Sequence, residues 1–202
     1  MSSNPHGPSD TLVVAVLAGG EGRRMDGVKA LRPFRGAPLV AQALGQARRW
    51  SDQVVVAVRD AGQVAGAVDA PLAFDRADIP GPLAGLAGAL EHARTIGAAQ
   101  LLTLPCDMPR LPLDLPARLA AALGPDDGVA LPAVEGELQP VCGLWRVSAL
   151  ERLPAYLAAG KSSLRGFAAA CGLAVVEFGA QAAAAFTGAN TPEELQRLER
   201  DG

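Results

Sequence analysis

An α/β fold, with a mostly parallel sheet covered by helices on both faces, is what the sequence predicts. Three observations predict it. Short β-like runs alternate with helical segments along most of the chain. The runs are apolar, as strands buried on both faces must be. The length of 202 residues suits one domain with a core of its own, which needs no staple of disulfide or metal.

Thr11 to Leu17 reads as a buried strand. Pro38 to Trp50 is predicted to be helical, with Leu39, Ala43, Leu44 and Ala47 on one face. Gln53 to Val58 is the second strand, followed by a small helix from Ala61 to Val68 and a short strand from Pro71 to Phe74. The proline-glycine cluster IPGP opens a helix from Pro82 to Ile96. Gln100 to Leu104 is the fourth strand and runs into Pro105-Cys106-Asp107; Leu113 to Leu123 is a helix. Two strands, Gly128 to Val134 and Gln139 to Trp145, flank a turn at Glu135-Gly136-Glu137. Ser148 to Ala159 and Ser162 to Cys171 are helical, and Leu173 to Phe178 is a strand. In NTPEEL, Thr191 is the N-cap, Pro192 the first helical residue and Glu194 the partner in a capping box. The polar residues 1–10 are expected to be a flexible leader, and residues 11–202 a single domain.

Composition narrows the function. The net charge is −3 and aromatic residues are 4 %, which speaks against a nucleic-acid partner held by phosphate neutralisation and base stacking. No apolar run is long enough for a membrane span, and no secretory signal core is visible. Cys106, Cys142 and Cys171 are odd in number and lack CxxC spacing, so neither a disulfide framework nor a zinc site is indicated. A cytoplasmic location follows. His6 and His92 are the only histidines, and no GxSxG occurs, so a Ser-His-Asp triad or a histidine metal cluster has no support.

In a sheet of this kind the ligand sits beyond the carboxyl ends of the strands, near a switch in strand order. The loop after the first strand, LAGGEGRRMDGVKA, is therefore the first place to look. It is not a dinucleotide fingerprint, because Met25 stands where GxGxxG needs its third glycine. It is not a P-loop, because Val28-Lys29-Ala30 follows the glycine spacing without the Ser/Thr for magnesium. Gly19, Gly20 and Gly22 can still turn backbone N–H groups toward an anion. Arg23, Arg24 and Lys29 can neutralise a polyphosphate. A strand-to-helix turn with solvated charges would have the same composition.

The loop resembles the signature of the nucleotidyltransferases related to molybdenum cofactor guanylyltransferase, whose pattern is close to LAGGxSxRMGxDK. IPGPLAGL (Ile79 to Leu86), LPCDMP (Leu104 to Pro109), QPVCGLWR (Gln139 to Arg146) and NTPEEL (Asn190 to Leu195) are similar to further segments of that family, in the same order. The LAGG form favours the guanylyl branch over the cytidylyl one. The resemblance implies a Rossmann-like α/β domain with a mixed sheet, of the nucleotide-diphospho-sugar-transferase type. It implies transfer of GMP from GTP to the phosphate of molybdopterin cofactor, with release of pyrophosphate. Carried over, Leu17, Ala18, Gly19 and Gly20 contact the nucleotide through backbone, and Lys29 and Arg24 meet its phosphates. Asp75 binds on the guanosine side, Asp107 holds Mg2+, and Asn190 lies toward the acceptor. Lys29 and Asp107 are the expected catalytic pair. The implied partners are GTP and molybdopterin, with transient contacts to other cofactor-biosynthesis or molybdoenzyme-maturation proteins.

The chain departs from the pattern at three places. Val28 replaces the usual Asp before the lysine, with Asp26 two residues earlier. Ala57 or Val58 stands where the second strand often ends on Asn. Glu21 brings a negative charge to a phosphate loop. Each lost polar contact is worth roughly 1 kcal/mol or more if buried. A cytidylyl or other nucleotidyl transferase on a related acceptor therefore stays open, as does a non-catalytic nucleotide-binding module. Lys161 and Arg165 in GKSSLRGF suit either a pterin phosphate or a helix start with exposed cations. Cys106 reads as a small buried filler, and Trp145 and Phe178 as core.

Overall fold

The computed structural model describes residues 11–19 and 28–200. The expected leader, Gly20, Glu21, Arg23, Arg24 and Asp26 lie outside the described residues. In chain order the elements are β1 (Leu12–Leu17), β2 (Pro33–Phe34), β3 (Ala37–Pro38), α1 (Leu39–Ala47), β4 (Val54–Val58), β5 (Leu72–Phe74), α2 (Pro82–Thr95) and β6 (Gln100–Pro105). There follow α3 (Leu115–Ala122), β7 (Val129–Val134), β8 (Glu137–Leu138), β9 (Leu144–Arg146), α4 (Leu153–Ala158), α5 (Leu164–Ala170), β10 (Leu173–Phe178) and α6 (Pro192–Arg200).

The main sheet has the order β10-β7-β9-β6-β1-β4-β5, with β8 paired to β7. β1 is parallel to both β4 and β6, β5 is parallel to β4, and β10 to β7. β9 alone runs against the other long strands, between β6 and β7. The expected mostly parallel, mixed sheet is present. Strand order reverses at β1: the chain moves outward through β4 and β5, then returns to lay β6 on the other side.

The run LVVAVL is continuously apolar because both of its faces are covered. Val13 and Ala15 join a cluster with Leu83, Leu86 and Leu90 of α2, and with Trp145 and Phe167. Val14 and Val16 join a second cluster with α1 and α3, through Val40, Leu44, Leu115 and Leu119. A third, smaller cluster of Phe34, Leu39, Ala189, Leu195 and Leu198 fastens α6 to the β2–β3 hairpin.

The sheet's second half differs from the sequence expectation in detail. Glu135 (φ 51°) and Gly136 (φ 78°) form a two-residue turn, so Glu137 is already paired with Val134. Of the expected strand from Gln139 to Trp145 only the end is found, in β9, and β8 precedes it at Glu137–Leu138. The expected helix from Ser148 is a 3-10 turn over Val147–Arg152, and α4 starts at Leu153. Pro154 dictates this, since it lacks an N–H and its ring would meet the carbonyl of Leu150 in a continuous α-helix. The helix expected after Ala61 is one 3-10 turn, Ala61–Val64, capped by Asp60 and Gln63. The hairpin over PFRGAP was not anticipated; Arg35 (φ 49°) and Gly36 (φ 81°) make its turn.

Candidate active site

β1 and β6 end side by side, with Leu17 in register with Pro105. Beyond them opens a crevice of about 570 Å³. Leu17, Ala18 and Gly19 line it from β1, Ala57 and Arg59 from β4, and Asp75 from the end of β5. Asp107 enters from β6, Lys29 from the segment before the hairpin, and Asn190 from the segment before α6. Seven of the nine expected site residues therefore share one cavity. The other two, Gly20 and Arg24, lie outside the described residues.

Lys29 joins the two sides of the mouth. Its Nζ donates to Oδ2 of Asp107 and, at 2.8 Å, to Oδ1 of Asn190. Each partner is fixed by its own local structure. Cys106 N–H donates to the Leu17 carbonyl at 3.2 Å, which carries β6's edge directly into Asp107. Ala189 N–H donates to the Asp107 carbonyl at 3.2 Å. Gly188 leaves no room beside Asp107, since a Cβ there would lie 2.9 Å from Oδ2. Asn190 stands at the head of the expected capping box. Glu194 Oε2 accepts from the Asn190 and Thr191 N–H groups at 2.7 and 3.2 Å, and Thr191 Oγ1 accepts from Glu194 N–H at 3.2 Å.

Asp75 forms the opposite wall. Its N–H donates to the Val58 carbonyl at 2.8 Å, extending the β4–β5 ladder by one residue. Its side chain rests against Gly19 and against Gly85 in the first turn of α2. α2 approaches this closely because Gly88 sits on the backbone of Phe74, where a Cβ would lie 2.9 Å from the carbonyl carbon. Asp75 Oδ1 is buried without a hydrogen-bond partner. Burial raises the Asp75 carboxyl above its ordinary value, and the charge of Arg59 offsets part of the rise. The next residue, Arg76, is tied to Asp78 and to Glu91 of α2 at 2.6–2.8 Å, which steadies the loop into α2.

Sequence reasoning missed Arg59 and Gln63. Gln63 Oε1 accepts from the Arg59 N–H at 2.8 Å, and Gln63 Nε2 donates to the Gly19 carbonyl at 3.5 Å. The D-x-x-Q spacing from Asp60 to Gln63 was the signal available. Lys161 and Arg165 do not line the crevice; Lys161 borders a separate hollow with Tyr156, and Ser163 caps α5. Cys106 lines the crevice but is 5 % exposed, and burial pushes its thiol up to about 12, which leaves no thiolate for nucleophilic work near neutral pH.

A crevice at a strand-order reversal, floored by the backbone of β1 and edged by one lysine and two aspartates, is built for a nucleotide and its phosphates. The fold is that of the nucleotidyltransferases. The family model described as the MobA-like NTP transferase domain matches residues 14–175, and the chain belongs to that family. It is 42 % identical over 193 residues to the molybdenum cofactor guanylyltransferase of Bordetella petrii, covering 91 % of this chain and 94 % of that protein. It is 40 % identical over 187 residues to the protein of the same name from Cereibacter sphaeroides, covering 91 % and 93 %. Among solved structures it resembles molybdopterin-guanine dinucleotide biosynthesis protein A from Archaeoglobus fulgidus, with a TM-score of 0.74 at 22 % identity over 94 % of this chain and 97 % of that one. It also resembles CMP:2-keto-3-deoxy-manno-octonic acid synthetase complexed with CTP, with a TM-score of 0.69 at 15 % identity over 94 % and 96 %. At these identities the structural likeness is one of fold.

Proposed function

We propose that this protein transfers GMP from GTP to the phosphate of molybdopterin cofactor and releases pyrophosphate. The observation that carries the reading is the meeting of Lys29, Asp107 and Asn190 over the backbone of Leu17 to Gly19. The names of the relatives at 40–42 % identity supply the nucleotide and the acceptor.

Attack of one phosphate on another needs positioning and charge neutralisation, and no protein nucleophile. The β1 backbone supports the nucleotide, and Asp75 accepts from its guanosine. Lys29 would turn its ammonium to the triphosphate, and Asp107 would hold the metal. Asn190 holds the lysine from the acceptor side. Arg24 and the Gly20 backbone add phosphate contacts.

Among the described residues no group of three or more His, Cys, Asp or Glu side chains gathers as a metal cage. Magnesium suits this site nonetheless, because it takes one or two carboxylates and completes its shell with phosphate oxygens and water. Asp107 already holds a cation, the Lys29 ammonium, at its Oδ2. Bound there, Mg2+ supplies neutralisation of the charge that develops on the phosphates.

One domain spanning 11–202 carries the activity in this reading, in the cytoplasm, with transient contacts to cofactor-biosynthesis or molybdoenzyme-maturation proteins. The three cysteines are free thiols, and no helix among the described residues is long and apolar enough to cross a membrane. The test is pyrophosphate release from GTP, CTP, ATP and UTP with magnesium and molybdopterin cofactor, for the natural chain and Asp107→Ala. Release with GTP and cofactor together, lost in Asp107→Ala, is the expected result. Preference for CTP would move the protein to cytidylyl transfer. Nucleotide binding without release would make it a binding module.

A further inference from the structure

β10 and β5 form the two outer edges of the sheet, and they are built differently. β5 is three residues long and follows Pro71, two features that keep a strand edge from pairing further. β10 is six residues long, LAVVEF, with no proline or lysine, and it runs in unbroken register with β7 from Leu173 to Phe178. Among the described residues no strand pairs with its outer side. Val129 N–H donates to the Gly172 carbonyl at 3.1 Å, so Gly172, Ala174 and Val176 turn their ladder groups toward β7. Leu173, Val175 and Glu177 therefore turn theirs outward. Arg118 of α3 reaches that side and donates to the Glu177 carbonyl at 2.8 Å. At the middle of the outward row the Val175 side chain is 53 % exposed.

We propose that β10 is the interface of a twofold dimer, in which it pairs antiparallel with β10 of a second copy about Val175. The occupant is a second copy because this edge is complementary to itself. With Val175 opposite Val175, the two exchange N–H and carbonyl bonds across the axis, and Leu173 falls opposite Glu177 on either side. The Glu177 carbonyl keeps a lone pair for this beside the one Arg118 occupies. The charges match as well. Leu173, Val175 and Glu177 share the face toward α5, where Leu173 packs on the cluster that holds Phe167. On that face Arg152 donates to the Ala170 carbonyl at 3.0 Å, just before β10 begins, and exposed Glu177 stands near the strand's other end. Antiparallel pairing brings Glu177 of each copy toward Arg152 of the other. On the opposite face Arg118 stands 3.6 Å from the Phe178 ring centre, at the end of the strand. Exposed Asp126 lies at its start, where a Cβ on Gly172 would be 2.8 Å from the Asp126 carbonyl. These two are likewise brought together across the axis. Opposite charges thus meet on both faces, and no charged residue of the row meets its own copy. One strand pair buries less surface than a permanent dimer does, so the association depends on concentration. Leu173, Val175 and Glu177 do not line the crevice, so the pairing holds whichever nucleotide the crevice takes.

The experiment is sedimentation equilibrium of the full chain from about 1 to 200 µM, with backbone hydrogen exchange at both ends of that range. The natural chain is expected to pass from the mass of one copy, 20.6 kDa, to twice that mass. In the concentrated sample the outward amides of Leu173, Val175 and Glu177 should exchange about tenfold more slowly or better, while those of Ala174 and Val176 are protected by β7 at any concentration. Val175→Pro removes the N–H at the axis from both copies, and its ring points away from the β7 ladder. It is expected to raise the dimer's Kd about tenfold or more and to leave GTP affinity within about twofold. Val175→Lys sets like charges together at the axis without constraining the backbone, and it should weaken the dimer likewise. Glu177→Lys should raise the Kd about threefold or more, because the lysine then faces Arg152 of the other copy. The mass of one copy at every concentration overturns the inference. So does a dimer whose Kd is unmoved by both Val175 variants, or outward amides whose exchange ignores concentration.

Discussion

Gly19→Ala tests whether the wall formed by Asp75 is built for the nucleotide. A methyl on Gly19 would fall inside the contact distance of Asp75 Oδ2 and 3.1 Å from Cγ. The carboxylate has little room to withdraw. A Cβ at Gly85, on its other side, would already be 3.3 Å from Oδ1, and the Asp75 backbone is held by Val58 at 2.8 Å. The side chain must swing outward into the crevice. Overpacking costs about 1–3 kcal/mol in a closed core. Here one side is open, so the folding cost belongs at the low end, about 1 kcal/mol, or roughly 2–4 °C in Tm.

Binding should suffer more than folding. If Asp75 accepts from the nucleotide as proposed, the displaced carboxylate loses that bond, and a hydrogen bond to a charged group is worth about 1.5–3 kcal/mol. The Kd for GTP is therefore expected to rise by roughly 10- to 150-fold. Titration calorimetry on the natural chain, Gly19→Ala, Asp75→Ala and the double variant separates the causes. If the methyl acts through Asp75, the double variant binds like Asp75→Ala alone, since the two changes remove one interaction. Natural affinity in Gly19→Ala, or additive losses in the double variant, would refute the reasoning.

Three further predictions concern burial. The raised Asp75 carboxyl makes the folded protein hold that proton more tightly than the unfolded chain does, so stability falls as pH rises past the ordinary carboxylate range. Asp75→Asn should then raise Tm at pH 7, with the gain vanishing near about pH 4; a gain independent of pH would refute it. Phe167 is fully buried against Trp145 and Tyr156, at ring separations of 5.8 and 5.4 Å, and Phe167→Ala should cost about 3–5 kcal/mol in urea unfolding while GTP affinity stays within about twofold. Burial pushes the thiols of Cys106 and Cys171 up to about 12 and 11 and that of Cys142 higher still, so a disulfide reagent should label no thiol quickly in the native protein and all three in denaturant.

The parts of this fold that depend on local pattern were legible in the sequence. LVVAVL is apolar throughout because both faces of β1 are covered, and NTPEEL starts its helix through the capping box it spells. Asp107 could be singled out because strand ends carry sites in parallel sheets. Two kinds of feature were not legible. One is backbone chemistry overruled by a single residue: Glu135 in the left-handed region shortens a turn, and Pro154 delays a helix. The other is lateral register. That Arg59 and Asp75 line one crevice follows only from β4 pairing with β5 in the observed alignment, and no spacing along the chain encodes it.

The same distinction explains how the cluster of Lys29, Asp107 and Asn190 is assembled. Lys29 is 78 positions from Asp107 and 161 from Asn190, so their meeting is a tertiary event. The device that produces it is the small third core. Phe34 lies in the hairpin that follows Lys29 and Leu39 directly after it, and Ala189, Leu195 and Leu198 belong to the segment that carries Asn190. The Arg35 N–H adds a bond to Glu199 at 2.6 Å, and Arg110, three residues past Asp107, donates to the carbonyl of Leu198. The chain's last helix thus closes the site opened by its first strand. The motifs at the two ends of the sequence belong to one structure because apolar side chains that do not line the crevice hold them together.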